Sequence, residues 1–180
     1  LLGKPNVGKS TLFNALIGEE QAMVSPLPLT TRESNDTLIA KDGEPYLFVD
    51  TAGVRAAKRI VPGLEKFSVR QALHSLAHSD IVLLNLDPRG GFGTQDKHLA
   101  GLVAEQQKAL IIIINKWDLF LDQPEANRAK ITRDLNFHFP FLSFAPVLFI
   151  SGKTGKNVDK IYELIKEVNA AYQKTIPQEE

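Results

Sequence analysis

Near its amino end the chain reads Gly3-Lys4-Pro5-Asn6-Val7-Gly8-Lys9-Ser10, a G-x-x-x-x-G-K-S pattern. Residue types at this spacing suit the cradling of a phosphate chain. Glycines let the backbone approach closely, so successive N–H groups can turn toward anionic oxygens. A helix opening at Ser10 adds the positive end of its dipole. Lys9 is placed to reach the outer phosphates, and the Ser10 hydroxyl is placed to ligate Mg²⁺. The binding stretch read from this pattern runs from Gly3 through Val7, Gly8 and Lys9 to Thr11.

A second cluster, Asn115-Lys116-Trp117-Asp118, closes an apolar stretch farther along the chain. A carboxylate only accepts hydrogen bonds, so Asp118 can take two from the N1–H and 2-amino group of guanine. Adenine offers no such donor pair on that edge and would leave a partly buried charge unpaired. Asn115 can bond the imidazole edge of the base or tie this loop to the phosphate loop. The Lys116 stem can lie over the base, and Trp117 belongs to the same binding stretch. Ser151-Gly152-Lys153 ends the next strand and is placed to bring a backbone N–H against that base.

A third group is Asp50-Thr51-Ala52-Gly53-Val54. A carboxylate at Asp50 can hold Mg²⁺ through water, and Gly53 can offer an unobstructed N–H to a terminal phosphate. Thr30 and Thr31, in a loop that holds Pro26 and Pro28, are candidates to complete the metal shell. Thr31 is read as a Mg²⁺ ligand.

These groups need a scaffold that brings their loops together, and the element order supplies one. Leu1-Leu2 reads as the stub of a strand, followed by a short helix from Ser10 to Ile17 that stops at Gly18. Thr37 to Lys41 and Tyr46 to Asp50 flank the turn pair Asp42-Gly43. Leu64, Phe67, Leu73 and Leu76 recur at helical spacing up to about Ser79. Ile81 to Leu86 and Leu110 to Ile114 are apolar runs of the kind buried on both faces of a parallel sheet. Leu99, Leu102 and Val103 mark a covering helix between them, and residues 122–137 read as a short surface helix or insertion. Val147 to Ile150 is the last strand, and Val158, Ile161, Leu164, Ile165 and Val168 give a final amphipathic helix. The pattern predicts an α/β fold: a doubly wound, mostly parallel sheet with one antiparallel hairpin strand and helices on both faces.

Length and composition agree with that. The 180 residues suit one compact domain. Residues 1–176 are read as that domain with a truncated first strand, and Pro177-Gln178-Glu179-Glu180 as the start of a linker. Twenty-one basic residues balance 21 acidic ones, which argues against an autonomous nucleic-acid coat or membrane-surface binder. No cysteine is present, excluding thiolate metal sites and a thiol nucleophile. The longest unbroken apolar run, Ala109 to Ile114, is far short of the ~20 residues that span a bilayer.

The assembled motifs resemble translation-factor-type P-loop GTPases, and more narrowly the second GTPase domain of the Der (EngA) family. The residues that carry the likeness are Gly3 to Ser10, Thr30-Thr31-Arg32, Asp50 to Val54, Glu65 to Val69, Gln95-Asp96-Lys97 and Asn115 to Leu119. The stretches from Glu65 and from Asn115 separate Der from its relatives Era and MnmE. The family usually has Gly before the threonine pair and Asp after the arginine, where this chain has Leu29 and Glu33. It also usually has Ser-Ala where Ser151-Gly152 stands.

The resemblance implies a cytoplasmic GTP/GDP-binding switch with Mg²⁺, acting with the large ribosomal subunit. It also implies a partner GTPase domain and an RNA-binding-like domain elsewhere in a longer chain. Asn6 matches the phosphate-loop asparagine with which such relatives hold K⁺. Ser25 and Leu27, through backbone carbonyls, and Thr30 would complete that site. Lys9, Thr31, Gly53 and Asn6 are then the expected catalytic set. Val54 stands where Ras-like proteins carry a water-orienting glutamine, so that role falls elsewhere. Arg55 is either a charge donor or, with Lys58 and Arg59, part of a solvated patch. A nucleotide-stabilised interaction module with negligible hydrolysis is the alternative to a hydrolysing switch. An ATP-dependent enzyme is disfavoured by Asp118.

Overall fold

A computed structural model describes residues 1–21, 36–49 and 72–174. The expected switch residues Ser25, Leu27, Thr30, Thr31, Asp50–Val54 and Arg55 lie outside the described residues, as do the first turns of the helix expected from Leu64 and the linker expected at the carboxyl end.

The described elements follow the expected order. They are α1 (Lys9–Gln21), β1 (Thr37–Lys41), β2 (Glu44–Phe48), a helix α2 described over 72–77, β3 (Ile81–Leu86), α3 (Thr94–Glu105), β4 (Ala109–Ile114), α4 (Pro124–His138), β5 (Val147–Phe149) and α5 (Lys160–Tyr172). Gly18 interrupts α1 with a left-handed, non-helical backbone (φ 63°, ψ 154°), as expected of a helix-stopping glycine.

β3, β4 and β5 form a parallel sheet in that order, with Ile81 opposite Ala109 and Ile114 opposite Phe149. Every residue of β4 is buried, which its run of β-branched isoleucines suits. Alternation divides the side chains between two cores. Val82, Leu84, Leu86, Leu110, Ile112 and Ile114 pack beneath α2, α3 and α4. Leu83, Ile111 and Ile113 pack with Leu12, Phe13 and Leu16 of α1 and Ile161 and Tyr162 of α5. Helices therefore cover both faces, and the strand ends are left as the accessible rim.

Three local expectations are refined. The second hairpin strand begins at Glu44 rather than Tyr46. Asp42 and Gly43 both have positive φ (54° and 80°), and a two-residue turn of that kind pins Lys41 directly opposite Glu44. The hairpin, expected to extend the main sheet, forms its own two-stranded sheet among the described residues. It docks through side chains instead, with Phe13 edge-on to Phe48 and Tyr46 edge-on to Tyr162. The Tyr162 hydroxyl donates to the Leu16 carbonyl at 2.8 Å. Last, residues 124–138 are a full helix, held on the core by Ile131 and Leu135 one turn apart.

Leu2 pairs with β3 as a stub would: its N–H donates to Leu83 O at 2.9 Å and its carbonyl accepts from Asn85 N–H at 2.7 Å. This parallel bridge delivers the chain into the Gly3–Ser10 loop at the carboxyl end of the sheet. Among the described residues no helix is long and apolar enough to cross a membrane.

Candidate functional site

The loops leaving β3, β4 and β5 meet the Gly3–Ser10 loop at one end of the sheet, the place where open parallel sheets bind ligands. A cavity of about 550 Å³ lies elsewhere, between β2, the start of β3 and the last turns of α5, and these loops do not line it.

Asn115 is the joint of the site. β4 holds it at the strand end, 2 % exposed, with its N–H on the Leu86 carbonyl at 2.9 Å. Its side-chain Nδ2 donates to the carbonyls of Val7 (3.2 Å) and Gly8 (3.4 Å) in the phosphate loop. Its Oδ1 accepts from the N–H groups of Lys116 (2.7 Å) and Gly152 (3.0 Å). Of the two roles open to Asn115 in the sequence, the structure shows the tie between loops, and that tie takes in the Ser151 loop as well. The Gly152 N–H is thereby engaged by Asn115, while Lys153 beside it is exposed.

Two close approaches explain why glycine stands where it does. A Cβ on Gly8 would come within 2.7 Å of Asn115 Nδ2, and Gly8 has φ +95°. A Cβ on Gly152 would lie 2.9 Å from the backbone nitrogen of Leu12 and 3.0 Å from its Cα. The backbone of α1 cannot yield as a flexible side chain could. Gly152→Ala is therefore expected to lower unfolding free energy by about 1–3 kcal/mol, read from a denaturant transition. An unchanged midpoint would show that α1 has room to shift.

Lys116 adopts a left-handed backbone (φ 61°, ψ 31°) and turns the chain from β4 into the 3₁₀ turn Trp117–Phe120. That turn separates its neighbours. Trp117 goes into the core, 2 % exposed, stacked on Phe120 and edge-on to Phe149. Trp117 thus supports the loop from beneath and does not line the site. Asp118 is half-buried at the rim, where its Oδ1 accepts from the Ser151 hydroxyl at 2.6 Å. Ser151 Oγ in turn accepts from the Thr154 N–H at 3.1 Å, so the carboxylate is held in orientation.

Lys9 opens α1 and folds back over its own loop, its ammonium donating to the carbonyls of Gly3 (2.6 Å) and Lys4 (2.7 Å). Burial pulls its pKa down from 10.5 to about 8. A partly desolvated cation whose acceptors among the described residues are neutral carbonyls suits an anionic ligand, which would restore the charge stabilisation that burial removes. Ser10 and Thr11 sit in the first turn of the same helix. Pro5 and Asn6 are exposed at the loop tip, Asn6 with a left-handed backbone (φ 66°).

The segment after β3 adds residues that sequence reasoning did not place in the site. Lys116 Nζ bridges the Asn6 carbonyl (2.6 Å) and Asp87 Oδ2 (2.6 Å), and Arg89 also pairs with Asp87 (2.8 Å). Partial burial would raise the Asp87 carboxyl, but hydrogen bonds from Arg89 and Lys116 outweigh this and hold it at about 2. The signal available was its position, an aspartate directly after a buried strand at the ligand-binding end of the sheet.

Several comparisons bear on this arrangement. A family model described as 50S ribosome-binding GTPase matches residues 1–116. GTPase Der of Thermoanaerobacter sp. (strain X514) is 44% identical over 177 residues, covering 98% of this chain and 40% of that protein. GTPase Der of Synechococcus sp. (strain JA-2-3B'a(2-13)) is 40% identical over 177 residues, covering 98% of this chain and 39% of its own length. The chain thus spans about two-fifths of the length of these curated relatives. Among solved structures, Era in complex with MgGDPNP and nucleotides 1506–1542 of 16S ribosomal RNA superposes with a TM-score of 0.69 at 28% identity, covering 99% of this chain and 57% of that one. Elongation factor SelB from Methanococcus maripaludis, bound to a GTP analogue, gives a TM-score of 0.65 at 20% identity over 98% of this chain and 34% of its own, a likeness of fold. The family match runs from the phosphate loop through the strand that carries Asn115, the two parts that Asn115 ties together. This chain is a GTPase domain and belongs to the 50S ribosome-binding GTPase family.

Proposed function

We propose that the chain hydrolyses GTP as a Mg²⁺- and K⁺-assisted switch within a longer protein that acts in assembly of the large ribosomal subunit. The observation that carries the nucleotide part is the Asn115 joint, which locks the phosphate loop to the loop presenting Asp118. Asp118 reads the N1–H and 2-amino donors of guanine, and Lys116 covers the base with its stem. Lys9 and the N-terminus of α1 draw the β- and γ-phosphates into one orientation and offset the charge that gathers between them as the bond breaks. Gly53 offers its N–H to the γ-phosphate. Val54 has no group to hold water, so orienting the attacking water falls to backbone, another side chain or an external group.

Ser10, Thr31 and Asp50 supply hydroxyl and carboxylate oxygens, a donor set suited to Mg²⁺. Asn6, Ser25, Leu27 and Thr30 supply neutral amide, carbonyl and hydroxyl oxygens, a set suited to a monovalent cation. When bound, the two ions add positive charge along the triphosphate. The solved complex of Era, 28% identical, contains MgGDPNP, which supports a Mg²⁺–GTP ligand here. The family description, 50S ribosome-binding GTPase, supports the ribosomal role. The resemblance to the Der family further implies a cytoplasmic full protein with a second GTPase domain and an RNA-binding-like domain.

Turnover measured in K⁺ and in Na⁺ tests the reading. K⁺ is expected to raise the rate by ~10-fold or more, and Asn6→Ala to abolish the difference. Equal slow rates in both salts, with GDP still tightly bound, would favour the nucleotide-stabilised interaction module.

A further inference from the structure

Asp96 is 1 % exposed, a position a carboxylate occupies only when paired. It lies in the first turn of α3, where its Oδ2 accepts from the Gly93 N–H at 2.9 Å while the Gly93 carbonyl accepts from Lys97 N–H at 3.1 Å. The Lys97 bond is the helix's own first i→i−4 bond, and the Asp96 bond to the N-cap N–H fixes the carboxylate at the helix end rather than leaving it a free rotamer. The same Oδ2 accepts from Lys4 Nζ at 2.6 Å, across 92 positions of sequence.

Lys4 belongs to the phosphate loop, and its carbonyl is one of the two acceptors that hold the Lys9 ammonium. A continuous path therefore runs from the cap of α3 through Asp96 and Lys4 to the phosphate-binding lysine. Releasing Lys4 would have two effects. The peptide that presents its carbonyl to Lys9 would lose its tie to α3, leaving the loop anchored farther along by Asn115 and Lys116, and a second ammonium would be free to compete for the phosphates. Asp96 makes no contact with a ligand through this path; it acts through Lys4.

We propose that Asp96 is a positioning residue for the phosphate loop, and that its grip on Lys4 makes α3 a determinant of how long the nucleotide stays bound. The proposal rests on the phosphate loop holding a guanine nucleotide. It goes beyond that reading by assigning control of release to a helix outside the nucleotide loops. A merely structural ion pair would lower the folded fraction and leave release from folded molecules unchanged.

The test is the dissociation rate of a fluorescent GDP analogue from this chain, measured by stopped flow with binding amplitude and thermal midpoint in parallel. Asp96→Asn keeps the volume and an oxygen for both Gly93 and Lys4, and removes only the charge that faces the ammonium. It is expected to speed release by ~3-fold or more, the loss of charge assistance alone, and Lys4→Met by ~10-fold or more, the scale of a lost charge-assisted hydrogen bond, each at retained amplitude. The double variant is expected to release no faster than the faster single, and Lys4→Arg to restore most of the wild-type residence time. If Lys4→Met does not fold, Asp96→Asn decides alone. Unchanged release in Asp96→Asn, a lower amplitude with unchanged release, or single effects that multiply in the double variant would each overturn the proposal. Failure of the wild type to bind the analogue would instead overturn the nucleotide reading, and the proposal with it.

Discussion

Asp118→Asn is expected to weaken GDP binding by ~10³-fold or more and to turn the site toward xanthosine diphosphate. The carboxylate offers acceptors only, and guanine meets it with two donors, N1–H and the 2-amino group. An asparagine in the same place offers one acceptor and one donor. It would set its NH₂ against the guanine amino group, donor to donor. Xanthine keeps the N1–H but carries a carbonyl at position 2, which the asparagine amide can serve. The surroundings can accept the change, because the Ser151 hydroxyl that donates to Asp118 at 2.6 Å can rotate to accept instead. Titrating the variant with both diphosphates checks this, and retention of wild-type GDP affinity would show that Asp118 does not read the base.

The second large effect concerns Lys9, and its sign follows from the direction of its pKa. Burial lowers the ammonium from 10.5 to about 8 in the folded chain. Between those values the unfolded chain binds a proton that the folded chain does not. The stability of the unliganded protein therefore gains from this group as pH rises from about 8 toward 10.5, by at most about 1.4 kcal/mol per pH unit. Nucleotide binding runs the opposite way. The phosphates favour the charged lysine, so binding above pH 8 must take up a proton.

GDP affinity is expected to be flat from pH 7 to about 8 and then to fall by up to ~10-fold per pH unit. Calorimetry in buffers of different ionisation heat would register the uptake directly. Lys9→Arg keeps its charge across this range and is expected to remove the slope, which separates Lys9 from titration of the base itself. Lys9→Ala is expected to cost ~10²-fold or more in affinity at neutral pH. An affinity independent of pH to 9 would show that Lys9 stays protonated without nucleotide.

What could be read in the sequence was whatever local chain geometry controls. The buried strands were visible because parallel strands covered on both faces need unbroken apolar runs, as in Ala109–Ile114. The Asp42-Gly43 turn was visible because few residue pairs accept positive φ twice in succession. The phosphate loop was visible because its glycines, lysine and serine act within one turn of chain. The helix over 124–138 was underrated because only Ile131 and Leu135 hold it to the core, leaving a mostly polar surface.

The residues misjudged or passed over depend on distance in space rather than in sequence. Trp117 stands between two site residues, yet the left-handed backbone at Lys116 sends its indole into the core. Gly152 stands where the family usually has alanine, and only the packing of the α1 backbone against it shows why a Cβ is excluded here. Asp87 and Asp96 gave only a strand-end position and a short motif without a role.

The doubly wound α/β order, and two loops whose residue types suit phosphates and guanine, are legible along the chain, since each is encoded by neighbouring residues and their periodicity. How the loops join into one site is set by contacts between elements far apart along the chain. The joint at Asn115, the bridge from Lys116 to Asp87 and Asn6, and the grip of Asp96 on Lys4 all depend on the register of parallel strands and the seating of α1 and α3. A hydrogen bond forms over a few tenths of an ångström, and no pattern along the chain specifies a separation that fine between residues so far apart.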